Sequence, residues 1–325
     1  MTPRVSVIIA TYNRAHLLHT AIDSVLGQTF TDYEVIVADD GSSDGTAELV
    51  RGYGDRVRYL YQGNQGKSVM LNNALTIAAG EWIALLDSDD YWLPEKLEWQ
   101  FRAIEQCKEC GACFTDGQFV NNPHMDTTLF RFYGRKYDET IGALPNPVQT
   151  LAESSAGVSV VTVLCRAELA RQVGGFDPQL RFTEDYDFVF RLALVTNYCY
   201  VNIPLAIIDR TRAAERHVGV SSIWDRVDFR LDCEQRRYEK WLQLSTELSS
   251  DVRKTIRRHL RAVHSGRANW LLAQQEYEQA QRELTVAAKY QLTPNLAVKW
   301  ILSRISPRAA RGLVMRRKGF SPEVF

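Results

Sequence analysis

Between Val5 and Asp87 short apolar runs alternate with amphipathic stretches: VSVIIAT, HLLHTAIDSVLGQ, EVIVADD, a helical stretch from near Asp44, VRYLYQ, SVMLNNALTIAA and EWIALLD. Apolar strands separated by helices return each strand in the same direction. The pattern therefore predicts an α/β unit with a mainly parallel, Rossmann-like sheet flanked by helices. Ligands of such sheets sit beyond the carboxyl ends of the strands. Three of those ends carry polar clusters: Thr11-Tyr12-Asn13-Arg14, Asp39-Asp40-Gly41-Ser42-Ser43 and Asp87-Ser88-Asp89-Asp90. They are expected to converge on one crevice.

The last cluster is the most demanding chemically. Three carboxylates at the end of a buried strand need a cation, and a hard divalent ion such as Mg²⁺ or Mn²⁺ takes oxygen ligands while keeping positions for water and phosphate. The spacing Asp87-x-Asp89 thus points to a nucleotide-diphosphate site. The competing reading is an acidic loop capping a helix that begins near Pro94, with Asp90 as a solvated cap.

Other phosphate and metal motifs fail on their spacing. The first βα turn lacks GxGxxG, which argues against hydride chemistry. Gly66-Lys67-Ser68 resembles the end of a Walker loop, but Tyr61 stands where the first glycine is needed. Lys67 is left as a phosphate contact or a solvated loop lysine. Cys107, Cys110 and Cys113 are spaced like ferredoxin ligands, yet Gly117 stands at the fourth position, so reduced thiols at a helix-to-strand junction are expected. With 45% hydrophobic and 24% charged residues in 325, the chain has core enough for two units. No run approaches the roughly 20 apolar residues of a membrane span, and MTPRVSVIIATYNR lacks a signal-peptide layout, so the cytoplasm is the expected compartment.

Six ordered motifs, VSVIIATYNR, Gln28-Thr29-Phe30, EVIVADDGSSDGT, NQGKSVMLNNAL, GEWIALLDSDD, and GGFDPQL followed by TEDYDFVFRL, together resemble the inverting family 2 glycosyltransferases of the GT-A fold over about residues 3–222. The resemblance implies a nucleotide-diphospho-sugar donor. Thr11, Tyr12, Arg14, Asp39 and Asp40 are similar to the set that holds base and ribose, with Asp39 or Asp40 reading a uracil imide N–H. Asp87 resembles the ribose or metal-shell carboxylate, Ser88 lies within the donor-binding motif, and Asp89 resembles the ligand joining Mn²⁺ or Mg²⁺ to the diphosphate. The family often has arginine before the asparagine of the third βα helix, whereas Leu71 precedes Asn72 here; Lys67 is the expected substitute cation.

By position Asp185 resembles the family's general base. Inverting transfer needs one carboxylate on the acceptor side of the anomeric carbon, because the hydroxyl must lose its proton as it attacks opposite the departing nucleotide. No motif supplies the nucleophilic carboxylate of a double displacement. The bland alternative is an acidic first helical turn favoured by the helix dipole. Arg210 to Ser222, RTRAAERHVGVSS, resembles the family's basic loop, and His217 is either a second metal or phosphate contact or an exposed loop histidine. Sugar and acceptor specificity is expected within Gly117 to Ser155.

A catalytic domain over 1–222 is thus expected, followed by a helical C-terminal region over 223–325. Arg253 to His264 is basic and amphipathic, Ala268 to Leu272 with Glu276 to Ala280 resembles one tetratricopeptide-like hairpin, and Thr293-Pro294 and Ser306-Pro307 each read as a cap with proline at the first helical position. From Leu284 to Pro322 there is no acidic residue, while Lys289, Lys299, Arg304, Arg308, Arg311, Arg316, Arg317 and Lys318 lie there. Leu296, Trp300, Ile301 and Ile305 recur between those charges, and such a face either packs on the protein or lies on an anionic membrane. The expected function is metal-assisted transfer of a sugar, from a UDP-sugar by preference, to a glycan or lipid-linked acceptor, in the cytoplasm or at the inner face of the plasma membrane. The alternatives are a sugar nucleotidyltransferase, which would need a glycine-rich basic N-terminal loop absent here, and a non-catalytic helical scaffold with a degenerate transferase domain. Little aromatic interleaving in the basic tail argues against a nucleic-acid partner.

Overall fold

The computed structural model describes residues 2–121, 126–154, 157–209, 227–244 and 248–316. The chain forms two compact units, residues 1–214 and 215–325. The division expected at 222/223 falls in 210–226, outside the described residues.

The first unit contains strands β1 (Val5–Thr11), β2 (Tyr33–Asp39), β3 (Arg58–Tyr61), β4 (Trp82–Asp87), β5 (Tyr91–Trp92), β6 (Cys110–Val120), β7 (Ile141–Ala143), β8 (Val163–Arg166) and β9 (Asn197–Asp209). Between them run helices α1 (Ala15–Leu26), α2 (Thr46–Arg51), α3 (Lys67–Ile77), α4 (Lys96–Gln106), α5 (Leu129–Phe132), α6 (Pro147–Ser154), α7 (Ala167–Gln172) and α8 (Glu184–Ala193). One sheet takes the order β3-β2-β1-β4-β8-β6-β9-β5, with β7 also paired to β9. The strands β3, β2, β1 and β4 are parallel, as the alternation predicts, and β6 is parallel to β9. The pairings of β8, β5 and β7 are antiparallel, so the sheet is mixed but mostly parallel.

All seven residues of β1 are buried, which is why it reads as an unbroken apolar run. Ser6 is tolerated there because its hydroxyl donates to Glu34 Oε1 at 2.6 Å and accepts the Gly80 N–H at 2.8 Å. On α1, Leu17, Leu18, Ala21, Ile22 and Val25 are buried at helical spacing. The larger of these each contribute about 1.5–3 kcal/mol through lost apolar exposure. Cys107 caps α4 and Cys110 opens β6, and all six cysteines are free thiols, in keeping with the reduced reading.

Register then sets the site. Thr11 pairs with Asp39, and Ala10 with Asp87, so the three polar strand ends leave the sheet side by side. The fourth contributor is α8. Its Arg191 guanidinium is buried and donates to Asp187 Oδ2 at 2.7 Å, to the Val173 carbonyl, and to the Gly175 carbonyl at 2.6 Å. Gly174 and Gly175 both take positive φ, 79° and 62°, in the turn that Arg191 holds. Asn72 of α3 grips the same turn, donating to the Phe176 carbonyl and accepting the Phe176 N–H, each at 2.7 Å.

Among the described residues the second unit contains α9 (Val227–Leu244), α10 (Ser250–Ala273), α11 (Tyr277–Tyr290), α12 (Pro294–Ile305) and α13 (Pro307–Met315). Gln275, at φ 68°, turns α10 into α11, forming the expected hairpin. One core cluster joins Leu271, Leu272, Ala280, Ala310 and Val314; another joins Ala268, Leu284, Ala287 and Leu296. The buried His264 Nδ1 meets Glu283 Oε2 at 2.7 Å, and Arg267 reaches both Glu283 and Asp232. Proline opens both terminal helices as expected, and Thr293 Oγ1 accepts the Leu296 N–H, whereas Ser306 stands at the start of α13 without a side-chain capping bond.

Arg191→Met removes the guanidinium paired with the fully buried Asp187, so its denaturant midpoint should fall by the equivalent of about 3–5 kcal/mol. Arg51→Met, which breaks an exposed pair with Glu48, should leave the midpoint nearly unchanged. Equal midpoints for the two variants would refute a structural role for the buried pair.

Candidate active site

The first two strand ends are laced together before they meet any ligand. Asn13, at φ 51°, donates its N–H to Ser42 Oγ at 2.8 Å and accepts the Ser43 N–H at 2.8 Å. Asp39 is fully buried; its oxygens take the Ser42 N–H and hydroxyl, at 2.9 and 2.6 Å, and the Tyr59 phenol at 2.6 Å. Asp40 accepts from Gln62 Nε2 at 2.6 Å and from the N–H groups of Gln65 and Gly66 at 2.9 and 2.8 Å. It thereby pulls the loop before α3 against the end of β2. Gly41 permits this approach, since at φ 90° a Cβ would lie 2.6 Å from the Asn64 nitrogen. Tyr12, directly after β1, is 41% exposed.

At the end of β4, carboxylate oxygens from Asp87, Asp89 and Asp90 all lie within 4.8 Å of one another. Asp90 is buried and accepts the Asp209 N–H at 3.0 Å, so it is not the solvated cap that one reading allowed. Two cations face the cluster. Arg14, at the N-terminus of α1, lies 2.9 Å from Asp89 Oδ2, and Lys67, the first residue of α3, lies 2.5 Å from Asp87 Oδ1.

Lys67 also senses the far wall. Burial alone would depress its ammonium pKa, but Asp87, Glu184 and Asp185 raise it above the ordinary lysine value. The first turn of α8 therefore shares an electrostatic environment with the acidic cluster. Glu184 is buried, and desolvation together with the neighbouring Asp185 pushes its carboxyl up to about 7 against the pull of Lys67. Asp185 is half-buried. Three buried oxygens at these ends lack a hydrogen-bond partner among the described residues: Thr11 Oγ1, Thr183 Oγ1 and Glu184 Oε2. Buried polar atoms left open in this way are suited to a polar ligand.

The comparisons agree with this architecture. A model of glycosyl transferase family 2 matches residues 6–160. An uncharacterized glycosyltransferase of Rickettsia prowazekii is 30% identical over 214 residues, 66% of this chain and 66% of its own length. The chain belongs to glycosyltransferase family 2. Its fold is shared with solved structures: Staphylococcus aureus TarS 1–349 in complex with UDP-GlcNAc superposes with a TM-score of 0.68 at 20% identity, covering 96% of this chain and 90% of that one. The mannosyltransferase PcManGT of Pyrobaculum calidifontis, in complex with GDP-Man and Mn²⁺, gives 0.57 at 20% identity over 97% and 84%. At such identity the likeness is one of fold.

Within this family 2 chain, Thr11, Arg14, Asp39, Asp40, Lys67, Asp87, Ser88, Asp89 and Asp185 all lie at or next to the strand and helix ends just described. Ser88 is buried, its N–H donating to the Ala10 carbonyl at 3.2 Å. His217 and the segment from Arg210 to Ser222 lie outside the described residues. Sequence reasoning read Glu184 only as part of an acidic first turn, while Asp90 was counted in the acidic cluster with a solvated cap as the competing reading. The available signal for Glu184 was its apolar company, since Phe182 lies two residues before it.

Glu184 gives this arrangement a pH signature. Its folded value of about 7 lies above the ordinary 4.5, so across that window the folded chain holds a proton that the unfolded chain has released. Stability must fall as pH rises from about 4.5 to about 7. The core lysine Lys96, pulled down to about 7 by desolvation, titrates there too, so the readable quantity is the difference between variant and parent. Glu184→Gln should melt at least about 2 °C above the parent near pH 8 and level with it near pH 4.5. A constant difference at both pH values would contradict the assignment.

Proposed function

We propose that the chain transfers a glycosyl group with inversion, from a nucleotide-diphosphate sugar to a hydroxyl of a glycan or lipid-linked acceptor. The observation that carries this reading is the Asp87–Asp89–Asp90 cluster at the end of β4, where Lys67 pairs with Asp87 and feels the charges of Glu184 and Asp185.

Asp87 and Asp89 would hold a Mn²⁺ or Mg²⁺ ion, which supplies positive charge to the leaving diphosphate. Their mutually close oxygens and hard donor chemistry fit such an ion, with Asp90 as a third carboxylate. Asp185 acts as general base: it takes the acceptor proton as the hydroxyl oxygen bonds to the anomeric carbon, and the nucleotide diphosphate leaves with the electron pair of the broken bond. Arg14 and Lys67 add donors directed at phosphate oxygens, and the crevice orients the reactants. Tyr12 lies open to a base, while Asp39 or Asp40 would offer a carboxylate to a uracil N–H by exchanging one internal donor. TarS was solved with UDP-GlcNAc, which supports a uridine donor here; PcManGT with GDP-Man keeps guanosine in the test.

Thermal shift with UDP, GDP, CDP and dTDP, each with Mn²⁺ or EDTA, should give one stabilising nucleotide whose effect needs the metal and disappears in Asp89→Asn. Asp185→Asn should keep that stabilisation yet lose transfer by about 10²–10⁴-fold. A variant at 185 that transfers at the parental rate would remove it as the base, and no shift with any nucleotide would sink the donor site.

A further inference from the structure

Helix α12 has two apolar faces. On one, Leu296 is buried, Trp300 donates its indole N–H to Thr285 Oγ1 at 3.0 Å, and Lys299 donates to Asn269 Oδ1 at 2.8 Å. On the other, Val298, Ile301 and Ile305 are 50, 47 and 76% exposed. Their i, i+3, i+7 spacing puts all three on one stripe. The face expected from Leu296, Trp300, Ile301 and Ile305 is thus divided, half packed inward and half left outside. Helix α13 continues the exposure: Ala310 and Val314 are buried while Leu313 and Met315 are 44 and 43% exposed.

Basic side chains border this surface. Arg304 lies over the Trp300 ring, 4.2 Å from its centroid, and Arg308 and Arg316 are exposed. None of the three has a carboxylate partner among the described residues, and no Asp or Glu occurs between Leu284 and Pro322. Aliphatic side chains held in water forgo their transfer free energy, and unpaired guanidinium groups beside them repel a basic partner. Pairing two copies through an isologous contact would bring like charges together around the stripe. An apolar stripe bordered by cations matches the boundary between lipid headgroups and acyl chains.

We infer that α12 and α13 form a docking surface for an anionic lipid bilayer, with Val298, Ile301 and Ile305 entering the acyl boundary and Arg304, Arg308 and Arg316 among the lipid phosphates. The contact is peripheral, since no helix among the described residues is long and apolar enough to cross a membrane. It stands apart from the transfer reaction and is measured without donor or acceptor.

The full chain is floated with vesicles of phosphatidylcholine alone and of phosphatidylcholine with phosphatidylglycerol, at low and high salt. Binding is expected only to the anionic vesicles and should weaken as salt rises. Ile301→Asp with Ile305→Asp should weaken it at least about ten-fold, and Arg308→Gln with Arg316→Gln roughly five-fold per arginine. Parental melting temperatures serve as the fold control, because all four positions are exposed. Absent binding, equal binding to neutral vesicles, or binding untouched by either double variant would overturn the inference. A concentration-dependent dimer in sedimentation equilibrium that Ile301→Asp with Ile305→Asp dissolves, without vesicle binding, would assign the stripe to a second copy and overturn it equally.

Discussion

Asp87, Asp89 and Asp90 gather at the end of β4, where Arg14 pairs with Asp89 and Lys67 with Asp87, and Lys67 also feels the charges of Glu184 and Asp185. Like charges brought together out of water destabilise one another, so each must be offset, solvated or protonated. The chain uses all three. Arg14 and Lys67 offset Asp89 and Asp87, Asp185 stays half in water, and Glu184 is driven toward its neutral form. Both cations open helices of the βα units, so sheet register and charge balance are one arrangement. A slip of β1 against β4 would part Arg14 from Asp89 as surely as it would expose the core.

The parallel half of the sheet was legible because its signals are local. Apolar runs of β1, β2 and β4 give the strands, their polar ends give the crevice, and Pro294 and Pro307 give the terminal helices. The grouping of Asp39, Asp87 and Asp185 followed from ordered motifs rather than from periodicity. What stayed hidden is long-range. Asn72 meets Phe176 across 104 residues, and Asp90 meets Asp209 across 119. No window of sequence carries such pairings. Glu184 was hidden differently: an acidic first turn is so ordinary beside a helix dipole that its burial cannot be read from composition.

The second unit shows the limit of periodic reading from the other side. The spacing of Leu296, Trp300, Ile301 and Ile305 is compatible with one broad apolar face, and only the positions of Thr285 and Asn269 decide which part turns inward. Hydrophobicity alone cannot distinguish a side chain that fills a core from one that waits for a surface. The distribution of charge does so better, since basic residues without acidic neighbours have no partner within their own helices.

Asn72 and Arg191 converge on the same turn from two helices, one beginning with Lys67 and the other carrying Asp185. Their hydrogen bonds go to the backbone at 173–176, yet they hold in place the two elements whose first residues would do the chemistry. A genetic screen scoring only product formation would rank them beside the proposed base, while an abundance screen would rank them as core. Scored both ways, such positions would trace the frame that lets a reactive carboxylate be replaced without the protein collapsing around it.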